Sequence, residues 1–193
     1  MSAQSIANLV KISRSRRRFH QDVAVEYETL EQLVDLARLS PSSANLQPLR
    51  YILSCDEKRN GWIFSCLSWA GYLKGWSGPE EGERPSAYIV ILGDTHISNA
   101  FGCDHGIAAQ SIMLGAVERG LGGCIMASVN RERLRRSLAI PDRYEILLVL
   151  ALGKPEEEVV IESVGLDGDI KYWRDESGVH HVPKRALEDI ILE

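Results

Sequence analysis

The chain reads as an α+β protein in which one central sheet is flanked by helices, built over a single domain spanning residues 1–193. Three observations predict this. Hydrophobic residues make up 45% of the 193 positions, enough for one proper core in a chain too short for two typical domains. The runs RYILS, AYIVILG and ILLVLALG have the β-branched and aromatic content of buried strands. Between them lie longer segments whose apolar residues recur at helical spacing.

The elements follow in order. Ile6, Leu9, Val10 and Ile12 predict a short helix from Ser5 to about Ile12, running into a basic stretch. Thr29 with Gln32 three positions on has the capping-box pattern, and Leu30, Leu33, Val34 and Ala37 give the helix after it one apolar stripe, which Pro41 should end. RYILS is the first convincing strand, and a helix around Gly61 to Lys74 is expected to return from it. Residues Trp76 to Pro85 read as a loop, punctuated by Gly78, Pro79, Gly82 and Pro85. AYIVILG is the second strand. A long helix from about Asp104 to Arg119 follows, closed by the glycines of RGLGG. A third strand near CIMA, a short helix capped by Asn130 and a fourth strand through ILLVLALG complete the pattern. The tail from Asp167 is charged, yet Leu187, Ile190, Ile191 and Leu192 are too apolar for a free terminus and are expected to pack, a second subunit being one candidate.

Charge narrows the function classes. Lysine and arginine number 22 against 27 acidic residues, a net charge of −5, so the molecule as a whole has no attraction for nucleic acid or anionic membrane. Any anion site is therefore local. No apolar run approaches the ~20 residues needed to cross a bilayer, and MSAQSIANLV lacks the features of a secretory signal, so a cytoplasmic location is expected. Cys55, Cys66, Cys103 and Cys124 form no CxxC pair and read as reduced thiols, mostly packing groups.

Four segments carry candidate chemistry. KISRSRRRF places Lys11, Arg14, Arg16, Arg17 and Arg18 within eight residues, a density that suits phosphate oxygens, a solvated helix end or a short nucleic-acid contact. SPSSANLQP, between a helix and a strand, is either a polar turn or a ligand loop, in which Asn45 and Gln47 each offer a donor and an acceptor to a heterocycle edge. GLGGCIMAS is either a helix stop or a place where backbone amides approach a flat ligand; it is not a dinucleotide fingerprint. In HHVPKR, Lys184 and Arg185 are positioned to add cations to an anion cage, while the adjacent His180 and His181 do not have metal-ligand spacing, so no metal is expected. GxSxG, HExxH and Walker patterns are missing, so either the chain is not an enzyme or a cofactor supplies the reactivity.

In this order, RSRRRF, PSSANLQP, DHGIAAQSIMLGAVERGLG, IPDRYEILLVLALGKP and VPKRALEDI resemble the nitroreductase family, the flavin-dependent enzymes whose members are homodimers with FMN at the subunit interface. The resemblance implies a mostly antiparallel central sheet in an intertwined homodimer. It implies that Arg14, Ser15 and Arg17 hold the phosphate and ribityl end of FMN, with Lys184 and Arg185 adding cations. Pro41, Ser42, Ser43, Asn45 and Gln47 would line the flavin from the partner subunit, and Met126, Ala127 and Ser128 would lay backbone against the ring. The implied activity is electron transfer from NADH or NADPH to nitroaromatics, quinones or similar small conjugated acceptors, with no catalytic side chain needed beyond the flavin. A non-catalytic flavin-binding or interaction module on the same fold is the alternative. The loop SGPEEGER departs from the family: Glu80, Glu81 and Glu83 stand where several members supply amide or lysine side chains, and would repel a phosphorylated nicotinamide if they faced the pocket.

Overall fold

The computed structural model describes residues 4–192. Helix α1 (Ile6–Ile12) starts where expected, with the Ser5 hydroxyl accepting from the Asn8 N–H. It leads to a two-residue strand, β1 (Phe19–His20). Helix α2 (Tyr27–Arg38) begins earlier than the capping box predicted: Glu26 is the N-cap, without a side-chain cap, and Thr29 lies in the first turn. Val25 before the cap and Leu30 in the first turn are both buried in one apolar cluster, and this hydrophobic staple sets the start instead.

Strand β2 (Leu49–Ser54) is followed by α3 (Glu57–Phe64), not by a helix from Gly61 to Lys74. The correction has a local cause at each end. The Asp56 carboxylate accepts from the Arg59 N–H and starts the helix early. Past Phe64 the chain is drawn off to bridge Leu67 with Val129 and to bury Trp69. Strand β3 (Ala87–Asp94), α4 (Asp104–Glu118), β4 (Gly122–Met126), α5 (Arg131–Leu138) and β5 (Tyr144–Pro155) lie close to their expected places, and the Asn130 side chain caps α5 by accepting from the Arg133 N–H.

The main sheet is antiparallel in every pairing. Strand β3 sits between β2 and β5, while β4 and β1 share the far side of β5, so β2 forms one edge and β4 the other. Strand β3 is buried at all eight positions because its alternate side chains enter two cores. Ile89 and Ile91 meet α2 and α4 around Leu33 and Ile112 on one face. Tyr88, Val90 and Leu92 meet Ile63, Leu134, Cys124 and Met126 on the other. Two of the four cysteines, Cys66 and Cys124, pack in this way, whereas Cys55 and Cys103 are exposed. No helix among the described residues is long and apolar enough to cross a membrane.

The charged tail folds into a second sheet that composition did not suggest. Strand β6 (Val159–Ser163) pairs in parallel with β8 (His180–Lys184), which pairs antiparallel with β7 (Trp173–Arg174). Polar contacts hold it. The His181 ring stacks on Trp173 at 4.0 Å, with Nδ1 facing Glu162 at 3.1 Å and Nε2 facing Asp175 at 3.2 Å. Two carboxylates on both nitrogens require both to donate, so the protonated ring is favoured. The hydrogen bond to Asp175, aided by Glu162 against partial burial, raises the His181 pKa. The contribution of His181 to stability is then fully present below about pH 6.5 and fades as pH rises through the raised folded value. An NMR titration should show His181 losing its proton above the ordinary imidazole range, with hydrogen exchange in β6 and β8 accelerating in step; titration at or below that range would refute the clasp. Beyond β8, Leu187, Ile190, Ile191 and Leu192 are exposed on the chain.

Candidate cofactor site

Strand β4 is an edge strand, and its outer backbone groups are free to pair. The arginine segment uses them: Ser15 bridges Gly123 in parallel, and the Arg16 N–H donates to the Gly123 carbonyl at 2.8 Å. Glycine is needed here because a side chain at Gly122 would run into Pro155 and Arg16, and one at Gly123 into the Ala151 carbonyl.

Arg17 turns inward and is only 8% exposed. Its NH1 donates to the Ser15 carbonyl at 3.4 Å and faces His180 Nε2 at 3.1 Å, and its guanidinium lies 4.7 Å from the centre of the Tyr172 ring. Burial, then the nearby Arg17 and Arg174 charges, push His180 down to about 4, so its ring is neutral and Nε2 accepts from Arg17. The buried Glu157 carboxylate joins the same cluster, accepting from the Arg17 backbone N–H and from Arg174 at 3.0 Å. Arg14 donates to the Val10 carbonyl at 2.8 Å, but its buried Nε has no partner among the described residues. Ser15 is exposed beside it. Arg18 is committed elsewhere: it pairs with Glu83, and the hydrogen bond from Arg18 holds that carboxyl below its usual range. Glu83 thus answers a local cation, while Glu80 and Glu81 are exposed.

From Gly123 the strand runs to buried Met126 and to exposed Ala127 and Ser128, whose carbonyl is fixed by the Ser68 N–H at 3.0 Å. Three residue steps along β4 from Gly123 to Met126 span about 10 Å, after which the Val129 N–H turns back onto the Ala127 carbonyl. One end is cationic; beyond the other, the Ala127 and Ser128 side chains are exposed while their carbonyls already accept from the Val129 and Ser68 N–H groups. The orphaned Arg14 nitrogen and the buried Arg17 guanidinium make this end cationic, a charge that suits an anion such as the phosphate of a flavin mononucleotide.

The other predicted segment is a rigid loop. Residues Ser43–Asn45 form a single 3-10 turn, and Ala44, Asn45 and Gln47 have φ of 48°, 55° and 51°. Left-handed backbone at non-glycine residues is costly, about 1–2 kcal/mol each, and persists only where the surroundings impose it. Asp104, at the start of α4 and 5% exposed, does so, accepting from the Ser42 hydroxyl at 2.6 Å and the Ser43 N–H at 3.0 Å. The Ser42 oxygen in turn accepts from the Gln47 N–H at 2.9 Å, and the Gln47 amide donates to Asn45 Oδ1 at 3.1 Å. Pro41, Ser43, Asn45 and Gln47 are left facing outward beside a cleft of about 370 Å³ that Pro41, Ser42 and Gln47 help line.

Within one chain these halves do not meet. The loop precedes β2 and is tied to α4, whereas the arginine segment is bound alongside β4, which ends at Met126. Three strand spacings, about 14 Å, separate those edges, and the loop anchor and Met126 lie on opposite faces of the sheet. Lys184 and Arg185 are also apart from Arg17: the tail reaches the arginine segment through His180, and Lys184 is exposed four residues further along β8, about 13 Å away.

The model of the nitroreductase family matches residues 13–62 and 84–154, more than half of the chain. The chain belongs to the nitroreductase family. Among nitroreductase relatives, an Archaeoglobus fulgidus protein with the provisional name NADH dehydrogenase/NAD(P)H nitroreductase is 26% identical over 159 residues, 77% of this chain and 86% of its own. The 5,6-dimethylbenzimidazole synthase of Rhodospirillum rubrum is 26% identical over 168 residues, 75% and 79% of the two chains. Among solved structures, an FMN-dependent nitroreductase of Clostridium difficile superposes with a TM-score of 0.67 at 26% identity, over 79% of this chain and 89% of that one. A Streptococcus pneumoniae nitroreductase family protein reaches 0.72 at 15% identity, over 98% and 100%, which speaks to the fold alone. Family membership places the chain among the oxidoreductases.

Sequence reasoning missed Glu157, Tyr172, Arg174 and Asp104. Asp104 carried a readable signal, an acidic residue at the start of a helix opposite a serine-rich loop.

Proposed function

We propose that this chain is a single FMN-binding domain that works as a homodimer, passing electrons from NADH or NADPH to nitroaromatic, quinone or similar small conjugated acceptors. The observation that carries this reading is strand β4, with Ser15 and Arg16 bound to its Gly123 end and the cationic side chains of Arg14 and Arg17 beside them. Arg14, Ser15 and Arg17 hold the phosphate and ribityl end, joined by Lys184 and Arg185 in the assembled pair. Met126, Ala127 and Ser128 lay backbone along the ring, and Pro41, Ser42, Ser43, Asn45 and Gln47 arrive from the second chain. The separation of the two halves across the sheet, and the exposed apolar tail, support the pairing. Bound FMN would supply the redox chemistry. The chain's share is to neutralise the phosphate, fix the ring with rigid backbone and leave one face open. Glu83, already paired with Arg18, does not stand against a phosphorylated nicotinamide.

The purified protein should carry FMN that NADH or NADPH bleaches in stopped flow; flavin that neither donor reduces would leave a binding module, and a protein unable to take up FMN would end the reading. Arg14→Ala and Arg17→Ala should each weaken FMN binding by about 1.5–3 kcal/mol, more than they weaken folding. FMN affinity unchanged from wild type in both variants counts against the phosphate assignment. Asn45→Ala should instead change the reduction potential with modest loss of binding.

A further inference from the structure

The family match covers residues 13–62 and 84–154, so residues 63–83 and the chain beyond 154 lie outside it. These two stretches meet in the folded chain. The Tyr72 and Tyr172 rings lie 5.0 Å apart, and the Arg174 guanidinium lies 4.9 Å from the centre of the Trp76 ring. Their junction closes on Arg17. The Arg17 guanidinium sits over the Tyr172 ring at 4.7 Å, and His180, whose ring is 5.2 Å from that of Tyr172, accepts from Arg17 NH1 at 3.1 Å. Backbone ties both stretches to the arginine segment: the Phe19 N–H donates to the Glu83 carbonyl at 2.9 Å, and the Glu156 N–H to the Arg18 carbonyl at 3.1 Å. A guanidinium is planar and its donors lie in that plane, so whatever holds the plane decides where they point. Tyr172 and His180 hold two sides of Arg17. Its Nε and NH2 have no hydrogen-bond partner among the described residues and, unlike the Arg14 Nε, neither is fully enclosed.

We propose that Tyr172 is a positioning residue for Arg17: it holds the guanidinium so that Nε and NH2 meet the phosphate of FMN, and Tyr72 braces it from the other stretch. The proposal rests on the flavin reading and deepens it, by assigning the choice of phosphorylated over unphosphorylated flavin to two residues outside the family match. The attraction between a cation and an aromatic face is strongest where water is excluded, and Arg17 is only 8% exposed. A tyrosine that only filled space would be replaceable by any side chain of similar bulk. Tyr72 is 51% exposed, so its ring serves the core little, and its contact with Tyr172 is the part that reaches Arg17.

The experiment titrates FMN and riboflavin separately into the purified full-length protein stripped of flavin, and compares the two dissociation constants. The wild type should prefer FMN. Tyr172→Leu, which keeps apolar bulk and removes the ring, should lower FMN affinity about tenfold and leave riboflavin affinity unchanged. Tyr172→Phe keeps the ring and should restore the wild-type preference. Tyr72→Leu should lower FMN affinity about threefold through loss of the ring pair, and it carries the test if Tyr172→Leu does not fold. In an Arg17→Ala background, Tyr172→Leu should lower FMN affinity no further, because the ring acts through that arginine. Equal losses for FMN and riboflavin, a Phe variant no better than Leu, or a loss that persists without Arg17 would each overturn the proposal. A wild type that binds neither flavin, or both equally, ends the phosphate reading and this proposal with it. A wild type that prefers FMN, and keeps that preference in both Leu variants, overturns this proposal alone.

Discussion

Glu157→Ala is expected to cost about 3–5 kcal/mol of folding stability, the range for removing one partner from a buried ion pair. The side chain is fully buried, and its two oxygens serve two parts of the chain. One accepts from the Arg17 backbone N–H and the other from Arg174 at 3.0 Å. Truncation leaves the Arg174 guanidinium, 17% exposed and lying 4.9 Å from the centre of the Trp76 ring, without its counter-charge. It also releases the backbone from which Arg17 is aimed. Glu157 touches no predicted ligand atom, so its effect on FMN is one of positioning: FMN affinity should fall, and Glu157→Gln should recover part of it by keeping one acceptor oxygen in place. Denaturant titration and flavin retention in the three proteins check this. An Ala variant that unfolds at the wild-type midpoint would show that the carboxylate does not tie the arginine segment to the second sheet.

That cluster also marks where sequence reasoning stopped. The main sheet was legible because β2, β3 and β5 are apolar enough to declare themselves, and Asn130 declares the start of α5 by a local hydrogen bond. Position 17 meets positions 157, 172 and 180 only in the folded chain, and no local periodicity points across such a gap. Strands β6 to β8 were unreadable for a related reason: histidine pairing, indole stacking and ion pairs hold them in place of alternating apolar residues. The loop around Asn45 was legible as a special turn from its composition, but the three left-handed residues require Asp104, about sixty positions away, to hold them. Helix α3 was misplaced because Trp69 and Leu67 look helical by composition and are captured instead by the end of β4.

A pair of chains carrying different defects should distinguish a shared flavin site from a private one. Consider one chain with Arg14→Ala and Arg17→Ala, and a second with Asn45→Ala, co-expressed with separate tags and purified as the mixed pair. In a twofold dimer whose sites each take the arginine segment of one chain and the loop of the other, one site of the mixed pair receives both defects and the other receives neither. The mixed pair should then hold about one flavin, bound with wild-type affinity and titrating at the wild-type potential. If each site were built within one chain, the mixed pair would again hold about one flavin, but beside the altered loop and at the shifted potential of the Asn45→Ala homodimer. The flavin count is the same in both cases, so the potential decides. The separation of about 14 Å between the β2 and β4 edges, with the loop anchor and Met126 on opposite faces, makes the wild-type potential the expected result, because one chain cannot bring both halves to one ring.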